Sequence, residues 1–434
     1  FRQRGGKFMN QNILIPVLTL LFYITSILGG GAPDSPALTP GNITASAVIG
    51  QQGEIVGDIV TIRTGSGTQH SALTSLKQGE TAVILDLQDG WYEVKLTDGR
   101  IGWVADYLIN IVPSKPQVKP HGKTVLGYYL LGSSSYNSLI QNSNYLTAIA
   151  PWSWGLDSYG KLNADFDAKT LAQVLMFSGN REVETYALVH NLFNGSFDPK
   201  VVSALLNNQA ARIRAVNEIK TALVNWGMTG INLDLENVPA ADRQALTEFV
   251  AELSEALHAE GLKVTMAVPA KTADNPNNNF SGAYDYAALG KHVDQLVIMA
   301  YDQHYRAGPP GPIASIKWVE DVIKFAVSQV PAEKIILGIP NYGYDWPQSG
   351  MADALTYDQT MQLAAANSAS IRWQGEDKVP YFTYGKNRQV WFENRYSIKY
   401  KLELVNQYQL NGIALWRLGQ EDSGIWNVIN DTLK

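Results

Sequence analysis

The chain has 434 residues, 45% of them hydrophobic, 17% charged and 10% aromatic, with 37 Gly, 19 Pro and no Cys. That length suits two or three folded units or one large barrel with an accessory module, and the composition excludes a disordered or collagen-like chain. A formal charge of −6 offers no broad cationic field, which argues against nucleic acid as a partner, and the lack of cysteine removes disulfides, thiol nucleophiles and thiolate metal sites together.

At the start, Arg2, Arg4 and Lys7 precede an apolar run from Ile13 to Leu28, which Gly29, Gly30, Gly31 and Ala32 follow. Basic, apolar and small residues in that order read as a secretory signal over 1–32. The run is shorter than the ~20 residues that cross a bilayer and contains Pro16, so no stable membrane anchor is expected. The expected location is outside the cell, on a bacterial wall or spore. Residues 33–44, rich in Pro, Ser, Thr and Gly, read as a linker.

From 45 to 112, short β-type runs alternate with turn signals: Ile59–Ile62, Ala82–Leu87, Trp91–Leu96 and Ile101–Val104, with Asp89-Gly90 and Asp98-Gly99 between the last three. Asp-Gly flanked by alternating apolar residues is a strong hairpin signal, so a small all-β barrel is expected. The blocks Thr61–Gly65, Leu76–Gly79, Gly90–Val94, Asp98–Arg100 and Gly102–Val104 resemble the bacterial Src-homology-3-like domain. That resemblance implies a module that holds cell-wall peptidoglycan. The alternative reading makes Trp91 and Trp103 core aromatics of a mere spacer.

A second linker, 113–123, carries three prolines and three lysines. Beyond it, over 124–434, apolar β-runs alternate with helical stretches. The strand candidates are Val125–Leu130, Leu146–Trp154, Glu184–Asn191, Gly230–Glu236, Leu262–Pro269, Gln295–Tyr301, Ile335–Tyr342 and Gly412–Arg417. Helical stretches include Gln209–Trp226, Ala240–Glu260 and Ile316–Val327, with Pro239 and Gly261 at the ends of the second, where a helix accepts them. Eight β/α repeats predict an α/β fold, a closed (β/α)8 TIM barrel, with its chemistry at the carboxyl ends of the strands.

The fourth strand concentrates that chemistry. With a period of two, Ile231, Leu233 and Leu235 face the helices while Asn232, Asp234 and Glu236 face the barrel axis. Two carboxyl groups and an amide in a low-dielectric interior are costly unless hydrogen-bonded or used, and Glu236 is the one at the open end. A carboxyl pair suggests glycoside hydrolysis. Asp234 and Glu236, however, project from the same side and are badly placed to flank a sugar from opposite faces. One solution is a substrate that supplies its own nucleophile, the acetamido oxygen of a 2-acetamido sugar. Glu236 then protonates the leaving oxygen and later deprotonates water, while Asp234 holds the acetamido nitrogen and keeps Glu236 protonated through like-charge repulsion.

Asn232–Val238, Val268–Lys271, Met299–Asp302, Gly338–Trp346 and Gly412–Gly419 stand in order at the predicted strand ends. Together they resemble glycoside hydrolase family 18, in particular its spore-cortex and peptidoglycan N-acetylglucosaminidase branch. The resemblance implies catalytic roles for Glu236, Asp234 and Tyr301, the last binding the acetamido oxygen through its hydroxyl. It also implies substrate contacts for Asn232 and Asp302 and a hydrophobic floor at Trp416. Tyr342, Trp152, Trp154, Trp346 and Trp391 are further aromatic candidates for stacking on sugars, set against an ordinary core role.

Two features depart from the family pattern. Thr229 and Asn232 stand where its chitinases usually carry Asp, so a carboxylate relay beneath Asp234 is missing, and the third strand ends Leu188-Val189-His190-Asn191 in place of a Ser/Gly-rich motif. His190 reads as a packed or rim residue. The segment 345–395 is a candidate cleft wall or stability element, and the Asn-rich stretch 275–279 a candidate contact loop. No metal and no cofactor are expected. The expected protein is a secreted, retaining hydrolase of β-1,4 bonds after N-acetylglucosamine in peptidoglycan, cortex or chitin oligomers. The rival reading is a non-catalytic glycan-binding protein on the same barrel.

Overall fold

The computed structural model describes residues 48–112, 122–131, 134–164 and 166–433. The signal segment and the first linker lie outside the described residues, as does most of the second linker.

The N-terminal unit is a seven-stranded antiparallel sheet. The four expected strands form as Ile59–Arg63, Thr81–Gln88, Trp91–Leu96 and Ile101–Ala105. Gln88 pairs with Trp91 across Asp89 and Gly90, whose φ values of 50° and 78° are the two left-handed positions that a two-residue hairpin turn demands. Three further strands, Gln52–Ile55, Ala72–Lys77 and Ile109–Val112, lacked a clear sequence signal. Ala72–Lys77 buries none of its side chains fully, so no apolar alternation marks it. The core of this unit is aliphatic, built on Ile55, Val60, Ile62, Ile84, Val94 and Val104. Trp91 and Trp103 are half-buried and stand outside it, which removes the core-aromatic reading.

The second unit closes a parallel barrel. Its eight strands are Thr124–Tyr129, Ala148–Leu156, Glu184–His190, Gly230–Asp234, Lys263–Pro269, Gln295–Met299, Ile335–Pro340 and Gly412–Trp416, and the eighth pairs with the first at Ile413 and Val125. Each expected strand is present. Leu126, Tyr128, Ala150, Leu188, Val297 and Ile336 fill the interior, while Val125, Ile149, Val189, Ile231 and Leu233 pack outward under the helices. This is a (β/α)8 barrel.

Local chemistry sets the helix ends. Gln209–Trp226 starts at Asn208, whose side chain accepts from the Ala211 N–H, and stops at Gly227 in the left-handed region, φ 62°. The stretch after Pro239 divides into a 3-10 turn, Ala240–Asp242, and a helix, Arg243–His258. Gly261, φ 73°, releases the chain into the fifth strand.

Two departures from simple patterning shape the active end. The second and third strands slip register so that Leu188 faces Trp152 and Val189 faces Trp154, a bulge at Ser153. Trp152 therefore joins the barrel interior and Trp154 the outer core, although they are two residues apart. Between strands seven and eight an antiparallel sheet is inserted, with Tyr342–Trp346 as one of its five strands.

The two units touch. Ile49 and Leu85 of the first join the outer core of the second beside Phe177 on the helix Ala168–Asn180. Asn180 Nδ2 donates to the Ile49 carbonyl at 2.5 Å and Lys95 Nζ to the Ile140 carbonyl at 3.0 Å.

Candidate active site

The fourth strand ends its ladder at Asp234, where His190 is the register partner on strand three. Asn232 and Asp234 point into the barrel and are buried, at 0% and 4% exposure. Asn232 is anchored, its Nδ2 donating to Thr265 Oγ1 at 2.8 Å, and that hydroxyl donates to the Ile231 carbonyl at 2.9 Å. Beyond the ladder the backbone would be loose, but side chains take over. The Glu236 N–H donates to Asn191 Oδ1 at 2.8 Å and its carbonyl accepts from Asn191 Nδ2 at 2.9 Å, so one amide imitates a strand partner. Tyr284 donates to the Leu235 carbonyl at 2.8 Å, and Lys271 Nζ holds the Tyr284 carbonyl at 2.6 Å. Asn237 then turns the chain away at φ 54°, its amide donating to the Phe197 carbonyl at 3.0 Å.

Glu236 is only partly exposed at the strand's open end. Burial, reinforced by the charges of Asp234 and Asp302, pushes its carboxyl well above the ordinary range. Burial also pushes Asp234 up, to about 7. The two carboxyls titrate as a pair. Asp302 sits opposite, at φ 58° after strand six, and its Oδ1 accepts from Tyr342 at 2.6 Å and Tyr344 at 2.9 Å. Tyr301 leads into this turn. Its ring comes within 3.0 Å of where a Cβ on Gly338 would stand, so glycine on strand seven makes room for it. Burial first, then the neighbouring Tyr128, Asp234, Glu236 and Asp302, keeps the Tyr301 phenol protonated.

Aromatic rings complete the floor. Trp416, half-buried, meets Tyr128 edge-on at 5.2 Å and Trp152 at 6.0 Å. Tyr301 meets Tyr342 at 6.4 Å. Glu236, Asp234, Tyr301, Asn232, Asp302, Trp416, Tyr342 and Trp152 thus come from strands two, four and eight, from the turns after strands four and six and from the inserted sheet to one end of the barrel.

Other sugar-stacking candidates serve packing. Trp154 lies in the outer core against Phe166, Trp346 is 1% exposed with its indole N–H on the Gly308 carbonyl, and Trp391 stacks on Tyr381 at 4.6 Å. In the Asn-rich stretch, Asn275 Oδ1 and Asn278 Oδ1 accept from backbone N–H groups of the loop, so these side chains fold it. The segment after strand seven both walls and stabilises: Tyr342 and Tyr344 reach Asp302, while Asp345 pairs with Arg388 at 2.7 Å on the other face.

Asn191, Tyr284, Tyr128 and Tyr344 contribute to the site without having been singled out in the sequence. Their signal is positional only: Asn191 ends the third strand, and Tyr344 follows Tyr342 with a period of two.

An inward carboxyl pair and an aromatic floor at the carboxyl end of a parallel barrel define the glycosidase class of this fold. The family model for glycosyl hydrolases family 18 matches residues 185–421, and the chain belongs to that family. A bacterial SH3 domain model matches residues 59–109. The chain is 33% identical over 313 residues to the putative sporulation-specific glycosylase YdhD of Bacillus subtilis, covering 70% of this chain and 73% of that one. It is 32% identical over 298 residues to the cortical fragment-lytic enzyme of the same organism, covering 67% and 68%. The solved structure of a chitinase from Chromobacterium violaceum superposes with a TM-score of 0.68 at 34% identity, covering 71% of this chain and 98% of that one.

Proposed function

We propose that the protein is an exported, metal-independent hydrolase that cuts β-1,4 bonds after N-acetylglucosamine in spore cortex or peptidoglycan, with chitin oligomers as secondary substrates. The observation that carries this reading is the one-sided carboxyl set. Asp234 ends the fourth strand and Glu236 follows two residues on, near enough to feel its charge, and the third carboxylate of the site, Asp302, is engaged by Tyr342 and Tyr344. A double-displacement mechanism needs a carboxylate nucleophile across the sugar from the acid. Here the acetamido oxygen of the substrate fills that role.

Glu236, kept protonated by burial and by its acidic neighbours, gives its proton to the leaving glycosidic oxygen as the C1–O bond breaks and the acetamido oxygen bonds to C1. Asp234 accepts the acetamide N–H and balances the positive charge of the cyclic oxazolinium ion. Tyr301 donates its phenolic hydrogen bond to the acetamido oxygen and orients it. Glu236, now a carboxylate, takes a proton from water as the water oxygen bonds to C1, and the ring opens with retained configuration. Trp416 is the apolar floor beneath the sugar and Trp152 buttresses it. The relatives' names, a sporulation glycosylase and a cortical fragment-lytic enzyme, favour cortex over crystalline chitin. The N-terminal module holds the enzyme on wall peptidoglycan and raises its local concentration there.

Digestion of cortex, peptidoglycan and chitin oligomers by wild type and Glu236→Gln, read by mass spectrometry, tests the reading. Expected are fragments ending in reducing N-acetylglucosamine, with a rate loss of ~10²–10⁴ in the variant. Fragments ending in muramic acid overturn the assigned bond. Undiminished turnover of a substrate lacking its N-acyl group overturns the nucleophile.

A further inference from the structure

We propose that His190 is a positioning residue for Asp234, donating a hydrogen bond from Nε2–H to Asp234 Oδ1 in the free enzyme and during turnover. The proposal rests on the reading of Asp234 as the group that holds the acetamide.

His190 ends strand three as the register partner of Asp234 on strand four, and register partners on parallel strands project from the same face. Its ring is 1% exposed and stacks on Trp152, with centroids 4.4 Å apart and planes 29° from parallel. Nδ1 accepts from the Leu192 N–H at 3.1 Å, so the ring's lone pair lies on Nδ1 and its proton on Nε2. Burial lowers the pKa to about 3, which keeps the ring neutral at working pH. The donor and its tautomer are thus fixed from two sides.

Nε2 is shut off from solvent and has no hydrogen-bond partner among the described residues. The same holds for Asp234 Oδ1. An unmatched donor and an unmatched acceptor therefore stand on adjacent strands, pointing into the same interior, and a turn of the Asp234 side chain joins them. Both atoms are costly to leave unpaired in that environment.

The substitution at 232 gives this pairing its use. Asn232 gives one amide hydrogen to Thr265 and none to Asp234 Oδ1, so it does not hold that carboxylate oxygen. A neutral imidazole N–H does, and it leaves intact the negative charge that balances the oxazolinium ion. The ionisable groups around Asp234 are Tyr128, Glu236, Tyr284 and Tyr301. Of these, Tyr128 is the competing donor: its buried hydroxyl lies beside Asn232 and makes no close hydrogen bond among the described residues.

Full-length wild type, His190→Phe and His190→Gln are compared on a soluble chitin trisaccharide across pH, with ¹⁵N spectra of the imidazoles in wild type and Asp234→Ala. In His190→Phe, kcat should fall ~10–100-fold with KM within about twofold, and the acidic limb of kcat should move up as Asp234 loses a donor to its charged form. His190→Gln, whose amide donates, should recover part of kcat and return the limb toward wild type. The wild-type spectrum should show an untitrated Nε2–H tautomer whose signal moves in Asp234→Ala. An Nδ1–H tautomer, a signal indifferent to Asp234, or an unshifted limb in His190→Phe overturns the proposal. The spectral arm does not depend on turnover, so an inactive wild type would condemn the functional reading alone.

Discussion

Asp234 shows how a single residue is kept against its own stability. Its side chain is 4% exposed and one carboxylate oxygen has no partner, so ionising it in the fold is penalised relative to the unfolded chain. The folded value, about 7, lies above the ordinary ~3.9, so the fold binds this proton more tightly than the unfolded chain does. The penalty is therefore absent below the ordinary carboxyl range, grows as pH rises from there, and is complete above the folded value. Asp234→Asn should raise the thermal midpoint by a few degrees at pH 8, on the scale of ~2–4 °C per kcal/mol, and leave it unchanged near pH 3. The same variant should lose most of its turnover. A lower midpoint at pH 8 would mean that the ionised carboxylate has a stabilising partner in solution. In the sequence, the inward placement of Asp234 was legible from a period-two reading of one strand. Its unmatched oxygen was not, because that depends on which neighbours already spend their donors elsewhere.

At the scale of an element, the fourth strand needs help at its functional end. Its ladder stops two residues before Glu236, and Asn191 replaces the missing partner with a double hydrogen bond to the Glu236 peptide. Asn191→Leu should leave the barrel folded, strip that clasp, and lower kcat ~10–100-fold with little change in KM, since a misplacement of about an ångström costs that much. Asn191→Asp keeps the acceptor and loses the donor, and should fall between. Equal kcat in all three would show that Tyr284 and Lys271 hold the strand end unaided. All eight barrel strands were legible because buried parallel strands are near-continuous apolar runs. The clasp and the bulge at Ser153 were not, since both arise where adjacent strands meet. The bulge reversed the outlook for Trp154: a strict period of two puts it beside Trp152, and one extra residue sends it to the outer core.

Across the whole molecule, the alternation of one strand joins the two units. Along Thr81–Gln88, Ala82 and Ile84 stay in the module's own core while Val83 and Leu85, on the opposite face, pack into the barrel's helical layer. Leu85, fully buried there, makes the module a docked body whose direction is set relative to the cleft, rather than a bead on a linker. Under the proposed function, an oriented module that holds wall glycan confines the enzyme and also limits which bonds of an immobile glycan the cleft can reach. Leu85→Asp places a charge in that contact and should separate the units while each keeps its own core, giving two unfolding transitions in calorimetry. Activity on soluble oligosaccharides should stay within about twofold, because nothing in the cleft touches Leu85, whereas release of fragments from intact cortex should fall by ~10-fold or more. An equal loss on both substrates would show that docking supports the barrel's active end itself, and undiminished release from cortex would show that wall recognition does not depend on a fixed orientation.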